Sequence, residues 1–144
     1  MMKKTLGAFV LFTLSLSTYA SDHLFTFQDI KTSLMKGDSV NLVVDLNQCT
    51  NTEDVTKHGT MIGGLKVNSF LIRPNNTISF SDTHFTVNAA QQPIMQFIRY
   101  TLNADNSVIF NMKTLELPSY NILGKEVSYK CTLNNGIKFL KIDH

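Results

Sequence analysis

Asp82 and His84 are the residues whose types and spacing come nearest to chemistry. They stand two apart in a stretch of alternating character, and on a β-strand such residues point to one side. A carboxylate and an imidazole so placed could converge on a metal ion or on a substrate proton. Two ligands fall short of a zinc site, which takes at least three protein ligands. The remaining histidines are His58 in a polar loop and His23 and His144 near the ends of the mature chain. No metal and no cofactor is therefore indicated. The structural alternative is that Ser81 and Asp82 satisfy backbone amides at a bulge while His84 hydrogen-bonds within the sheet.

Arg99 lies in a strand among Phe97, Ile98 and Tyr100. It either faces solvent or is held inside by a carboxylate, with Asp45 or Asp82 as partner, since a buried guanidinium must be paired. In the second case it is structural glue or an anion or carboxylate clamp inside a barrel, and Arg99→Ala would destabilise the fold by stranding a carboxylate. Tyr120, in Pro118-Ser119-Tyr120, interrupts the strand pattern and would pack over one end of the core or line a pocket. The polar stretch from Thr50 to Ile62 follows Cys49 and reads as a loop with a fixed base and a moving tip, either a carrier of binding or an ordinary surface loop. There is no Gly-x-Ser-x-Gly elbow, no His-Glu-x-x-His, no phosphate-cradling glycine loop and no dinucleotide fingerprint.

These residues work in a compartment that the first twenty suggest. Lys3 and Lys4, an apolar run from Leu6 to Leu16, and Thr18-Tyr19-Ala20 make the three parts of a secretory signal, with cleavage expected after Ala20. The run is about a dozen residues, short of the roughly 20 needed to cross a bilayer, so no stable membrane insertion is expected after cleavage. Residues 21–144 would then form one domain in the periplasm or outside the cell. The formal net charge of +2 falls to zero once both signal lysines are gone, and no basic cluster remains to suggest a nucleic acid partner. Cys49 and Cys131 are the two cysteines, and in an oxidising compartment a disulfide is the default.

The elements that must position these groups are mostly strands. Thr26 as N-cap, Asp29 three residues on, Phe27, Ile30 and Leu34 at helical spacing, and Gly37 at the left-handed end predict an amphipathic helix over 27–36. Period-two patterning follows: 40–46, 65–73, 77–87, 93–102, 108–117, about 126–133 and 137–142. Turns are expected at Pro74-Asn75-Asn76, Asn103 to Ser107 and Asn134-Asn135-Gly136. In 77–87 the apolar parity switches from Ile78 and Phe80 to Phe85 and Val87, which predicts a bulge or bend within Ser81 to His84. Cys131 shares the apolar face with Val127, Tyr129 and Leu133. The fold class expected is mainly β: an antiparallel meander of about seven strands, curled into a barrel-like sheet, with one N-terminal helix.

Read as a string of fixed residues, the chain resembles the VirK family of small exported proteins, named for a gene in a virulence region. The resemblance rests on Asp45-Leu46 with Cys49, Gly63-Gly64-Leu65, Phe80-Ser81-Asp82 with His84-Phe85, and Pro93. It continues through Gln96-Phe97 with Arg99-Tyr100, Leu117-Pro118-Ser119-Tyr120, and Ser128-Tyr129 with Cys131. Where that family tends to have Asp-Gly in hairpin turns, this chain has Asn75-Asn76 and Asp105-Asn106. The resemblance implies export and a link with virulence or host contact, and supplies no catalytic residues. The leading expectation is a non-enzymatic module for a small ligand or protein partner. The alternatives are a small hydrolase or metal-dependent enzyme using Asp82 and His84, and a structural part of an exported assembly.

Overall fold

The computed structural model describes residues 21–142, so the expected signal segment and His144 lie outside the described residues. The helix α1 runs over Phe27–Lys36, as its periodicity predicts. Thr26 accepts from the Asp29 amide at 3.1 Å while the Asp29 carboxylate accepts from the Thr26 amide at 3.0 Å, a reciprocal capping box. Gly37 ends the helix at φ 80°. Phe27, Ile30 and Leu34 are buried, and Asn106 Oδ1 accepts from the Phe27 amide at 2.8 Å, which pins the start of α1 against a turn of the sheet.

The strands are β1 (Ser21–Leu24), β2 (Ser39–Asp45), β3 (Thr50–Asn51), β4 (Ile62–Lys66), β5 (Leu71–Arg73), β6 (Thr77–Val87), β7 (Pro93–Asn103), β8 (Ser107–Glu116), β9 (Ile122–Leu133) and β10 (Gly136–Ile142). They form one 10-stranded sheet in the order β4-β2-β10-β9-β8-β7-β6-β5, with β1 added to β10 and β3 to β9. The fold is mainly β with one helix, as the patterning predicts, but it is a meander only from β5 to β9. β10 then inserts between β9 and β2 and also carries β1.

The expected strand 65–73 is two strands, β4 and β5, at opposite edges of that order. They are joined by Val67 to Phe70, and the Val67 amide still bonds to Val40 O at 2.9 Å. A flat sheet in this order would hold its edges about 34 Å apart at about 4.8 Å per interval. A link of roughly five steps spans at most about 18 Å. The sheet must therefore curl, and the chain itself crosses the seam of the barrel. Inside lies one core that includes Ile30, Leu42, Val44, Leu102, Val108, Phe110 and Phe139.

Of the bulge or bend expected within Ser81 to His84, no bulge occurs. β6 pairs with β7 without a break from Thr77↔Asn103 to Val87↔Pro93. The parity switch has a different cause: beyond Phe80 the strand leaves the core, and its side chains are exposed from Ser81 to Phe85. From there β6, β7, β8 and β9 continue as an arm, whose tip holds the turns 88–92 and 117–121, linked by the Leu117 amide to Pro93 O at 3.3 Å. The irregularity in the arm falls instead between β8 and β9, at Met112/Thr114.

Candidate functional site

A row of rings marks where the core ends and the arm begins. Phe80, Tyr100, Phe110 and Tyr129 are successive neighbours on β6 to β9. Their centroids are 5.1, 5.4 and 6.3 Å apart, and Phe139 of β10 meets Phe80 edge-on at 5.9 Å. Such offset and edge contacts add to the area the rings bury. Burial first, and then the negative charge of Asp82, pushes the Tyr100 phenol far above its ordinary value, so it stays protonated.

Asp82 and His84 occupy the next rows on the same face, opposite Ile98 and Gln96. Both are exposed, and neither side chain has a hydrogen bond or ion pair among the described residues. The expected polar network at a bulge is thus absent along with the bulge. Among the described residues no three His, Cys, Asp or Glu side chains are gathered to hold a metal ion.

Arg99 pairs with Ser81, on the opposite face from Asp82, and is exposed. Of the two placements open to it, the alternation Ile98 in, Arg99 out, Tyr100 in selects the solvent side, and no carboxylate is stranded by its loss. Asp45 is far along β2, where its Oδ1 caps a 3-10 turn over Leu46–Gln48 by accepting from the Asn47 amide at 2.9 Å. Tyr120 does not cover the core: it is 58% exposed in the tip turn, with φ 60°. The five polar candidates therefore divide among both faces of the arm, its tip and the far end of β2.

Cys49 and Cys131 form a disulfide with sulfurs 2.06 Å apart, both buried. Gly136, at φ 91°, lies against it, and a Cβ there would sit 2.6 Å from Cys49 Sγ. The loop after Cys49 is tied down. Its Thr52 amide reaches Ser128 O at 3.0 Å, His58 Nδ1 is 2.8 Å from Cys49 O, and the Gly59 amide donates to Leu46 O at 3.0 Å. At its tip Lys57 meets Asp54 at 3.1 Å, and hydrogen bonds from Thr56, then Lys57, hold the Asp54 carboxyl below its ordinary range.

One groove lies on the outer face, where the residues of odd number on β6 and β7 point. It measures about 430 Å³, and Leu71, Arg73, Ser79, Ser81, Phe97 and Arg99 are among the residues that line it. Neither guanidinium has an ion-pair or hydrogen-bond partner among the described residues. In the adjoining hollow Glu126 is engaged by Lys113 at 3.2 Å. Toward the tip the same face carries exposed Phe85 (62%), Val87 (50%) and, on β9, Ile122 (60%). Arg73 was not foreseen as a neighbour of Arg99. The signal was present in the turns: a short hairpin around Asn75-Asn76 and another after Val87 set registers that put both arginines on one face.

Fold and disulfide together define a small protein of mostly antiparallel sheet, parallel only where β10 meets β9, curled around one core, with an arm of strands projecting from it. The chain belongs to the VirK family: residues 23–120 match the family described as VirK protein. It is 33% identical over 129 residues to an uncharacterized protein in the pinF2 3' region of Rhizobium radiobacter, covering 88% of this chain and 89% of that one. It is 30% identical over 131 residues to the uncharacterized protein y4wH of Sinorhizobium fredii, covering 90% of each. Among solved structures, that of lpg1832, a VirK family protein from Legionella pneumophila, has the same fold. Its TM-score is 0.71 at 24% identity, over 81% of this chain and 97% of that one.

Proposed function

We propose that this protein is exported to the periplasm or beyond and acts there, in virulence or host contact, as a non-enzymatic binding protein that engages its partner through the outer face of the arm. The observation that carries the binding reading is the groove of Arg73 and Arg99. Two unpartnered cations stand beside exposed Leu71 and Phe97, and the apolar surface continues to Phe85 and Val87. A contiguous exposed apolar patch is costly to leave to water and marks an interaction surface. Guanidinium groups beside it select for an anionic partner. Asp82 and His84, the residues of the catalytic alternative, stand on the other face of the arm from this groove. Export is supported by the basic start, apolar run and small-residue cleavage site of residues 1–20, and by a disulfide that an oxidising compartment would preserve. No helix among the described residues is long and apolar enough to cross a membrane.

The test is to isolate the protein from its own cells by fraction and record intact and native mass spectra. The expected species lacks residues 1–20, is found outside the cytosol with both cysteines oxidised, and carries a non-covalent adduct that Arg99→Gln removes. A full-length, reduced protein in the cytosol would overturn the export reading. Absence of any adduct, or a turnover abolished by His84→Ala in a folded protein, would overturn the binding reading.

A further inference from the structure

The edge of β6 is open beside the groove. The Asn88 amide donates to Gln92 O at 2.9 Å, so the backbone groups of Asn88 face β7. Because hydrogen-bonded positions alternate in an antiparallel pair, Thr86, His84 and Asp82 face β7 as well. Ser81, Thr83, Phe85 and Val87 then turn their N–H and C=O groups the other way. β5 meets that edge only as far as Leu71↔Ser79. Past it, no strand among the described residues pairs with β6 on this side. Natural edges of this length are blunted by lysine, proline or a bulge. Ser81 to Val87 contains none of these, and its single charge, Asp82, is on the opposite face from the groove.

The open lane has a direction and an end. β5 runs antiparallel to β6, and Ser69 and Phe70 close the lane where the chain turns toward the other edge of the sheet. A strand added antiparallel to β6, in line with β5, would therefore run toward Leu71 and finish in the groove. Its last residue would lie beside Ser81, whose short side chain leaves the space between lane and Arg99 unfilled. Its outer side chains would neighbour Thr83, Phe85 and Val87, and its inner ones Asp82, His84 and Thr86.

We propose that the free edge of β6 captures the extended C-terminal segment of another protein by strand addition, with the terminal carboxylate on Arg99. Arg73, which lines the same groove, adds to the positive potential. This inference rests on the binding reading above and names the partner's chemistry: a free C-terminus, an alternation of apolar and polar residues, and a backbone able to extend. Main-chain bonds along the edge supply affinity, while alternate side chains and the carboxylate supply selectivity. A second copy of this chain paired edge to edge along β6 would satisfy the same backbone groups and leave Arg99 without an anion, so charge complementarity favours the C-terminal peptide.

The probe is a library of random eight-residue peptides immobilised through their N-termini, with selected sequences remade as free acids and as C-terminal amides. Selected peptides should lose at least tenfold in affinity on amidation, and equally on Arg99→Gln in the protein. Thr83→Pro removes an edge donor whose N–H faces away from β7, so the variant should keep its melting transition and lose binding altogether. Failure to select any carboxylate-dependent peptide would overturn the proposal, as would binding indifferent to Thr83→Pro in a folded protein. A concentration-dependent dimer that Thr83→Pro abolishes, with no peptide bound, would assign the edge to self-pairing and equally overturn it. If no peptide binds while the native adduct proves to be a small anion, this inference fails and the binding reading stands. Absence of both defeats both.

Discussion

Breaking the Cys49–Cys131 bond should cost the protein a large part of its stability, and the size of the loss can be worked from the loop it closes. The cysteines are 82 residues apart. In the chain-entropy treatment a closed loop of that length stabilises the fold by about 4.5 kcal/mol at 25 °C, by removing extended conformations from the unfolded chain. Net stability for a domain of this size is about 5 to 15 kcal/mol, so the bond is a major share of it. Cys49→Ala, Cys131→Ala and the double variant, compared by urea denaturation, should each lower the midpoint by about 2 to 4 M. The double variant should fall within about 1 kcal/mol of either single one, because the second substitution removes a sulfur and no further cross-link. Dithiothreitol added to the unsubstituted protein should reproduce the loss. Additive single effects, or a midpoint indifferent to reductant, would refute the assignment of the bond as a stabilising closure.

Phe110→Ala should be among the most damaging single changes, at about 3 to 5 kcal/mol, because Phe110 is fully buried between the Tyr100 and Tyr129 rings; calorimetry or denaturant melts will measure it. Arg99→Ala should alter stability by no more than about 0.5 kcal/mol, since the side chain is exposed and unpartnered; a larger loss would mean that it holds a carboxylate after all. Stability should fall as the medium is acidified. Asp38, Asp54 and Asp105 have carboxyls lowered below 3.8, by hydrogen bonds from Ser33, Thr56 and Ser107 respectively, so their contribution is present above that pH and is lost as pH falls through the depressed values. Melting temperatures from pH 6 to pH 2 should drop less in the triple Asp-to-Asn variant; an equal drop would place the acid sensitivity elsewhere. Gly136→Ala should destabilise by at least about 1 kcal/mol, because it places a Cβ at positive φ against Cys49 Sγ; a neutral effect in a melting assay would show that the turn can move aside.

Local chemistry in this chain was legible wherever it decided the outcome by itself. Thr26, Asp29 and Gly37 bounded the helix to the residue, and the alternation around Cys131 turned that sulfur inward. What could not be read were consequences of chain crossings between distant segments. Residues 65–73 carry strand character throughout, yet the two halves serve opposite edges, because only a link at Val67 to Phe70 lets the curled sheet close. β1 escaped notice because its pairing partner, β10, lies at the far end of the chain. The parity switch in β6 implies a bulge or bend only if apolar residues seek the core. Phe85 and Val87 face water on an arm that has left the core behind. For the same reason Arg99 and Asp82 looked like partners, although an unbroken register places them on opposite faces.

The position of β10 makes it the keystone of the sheet. The β2–β4 pair and the meander from β5 to β9 each find their partners locally, but in the order of strands they meet only across β10, which also receives β1. Removing β10 would leave β1 without its neighbour and part the sheet into two pieces, rather than merely shorten one edge.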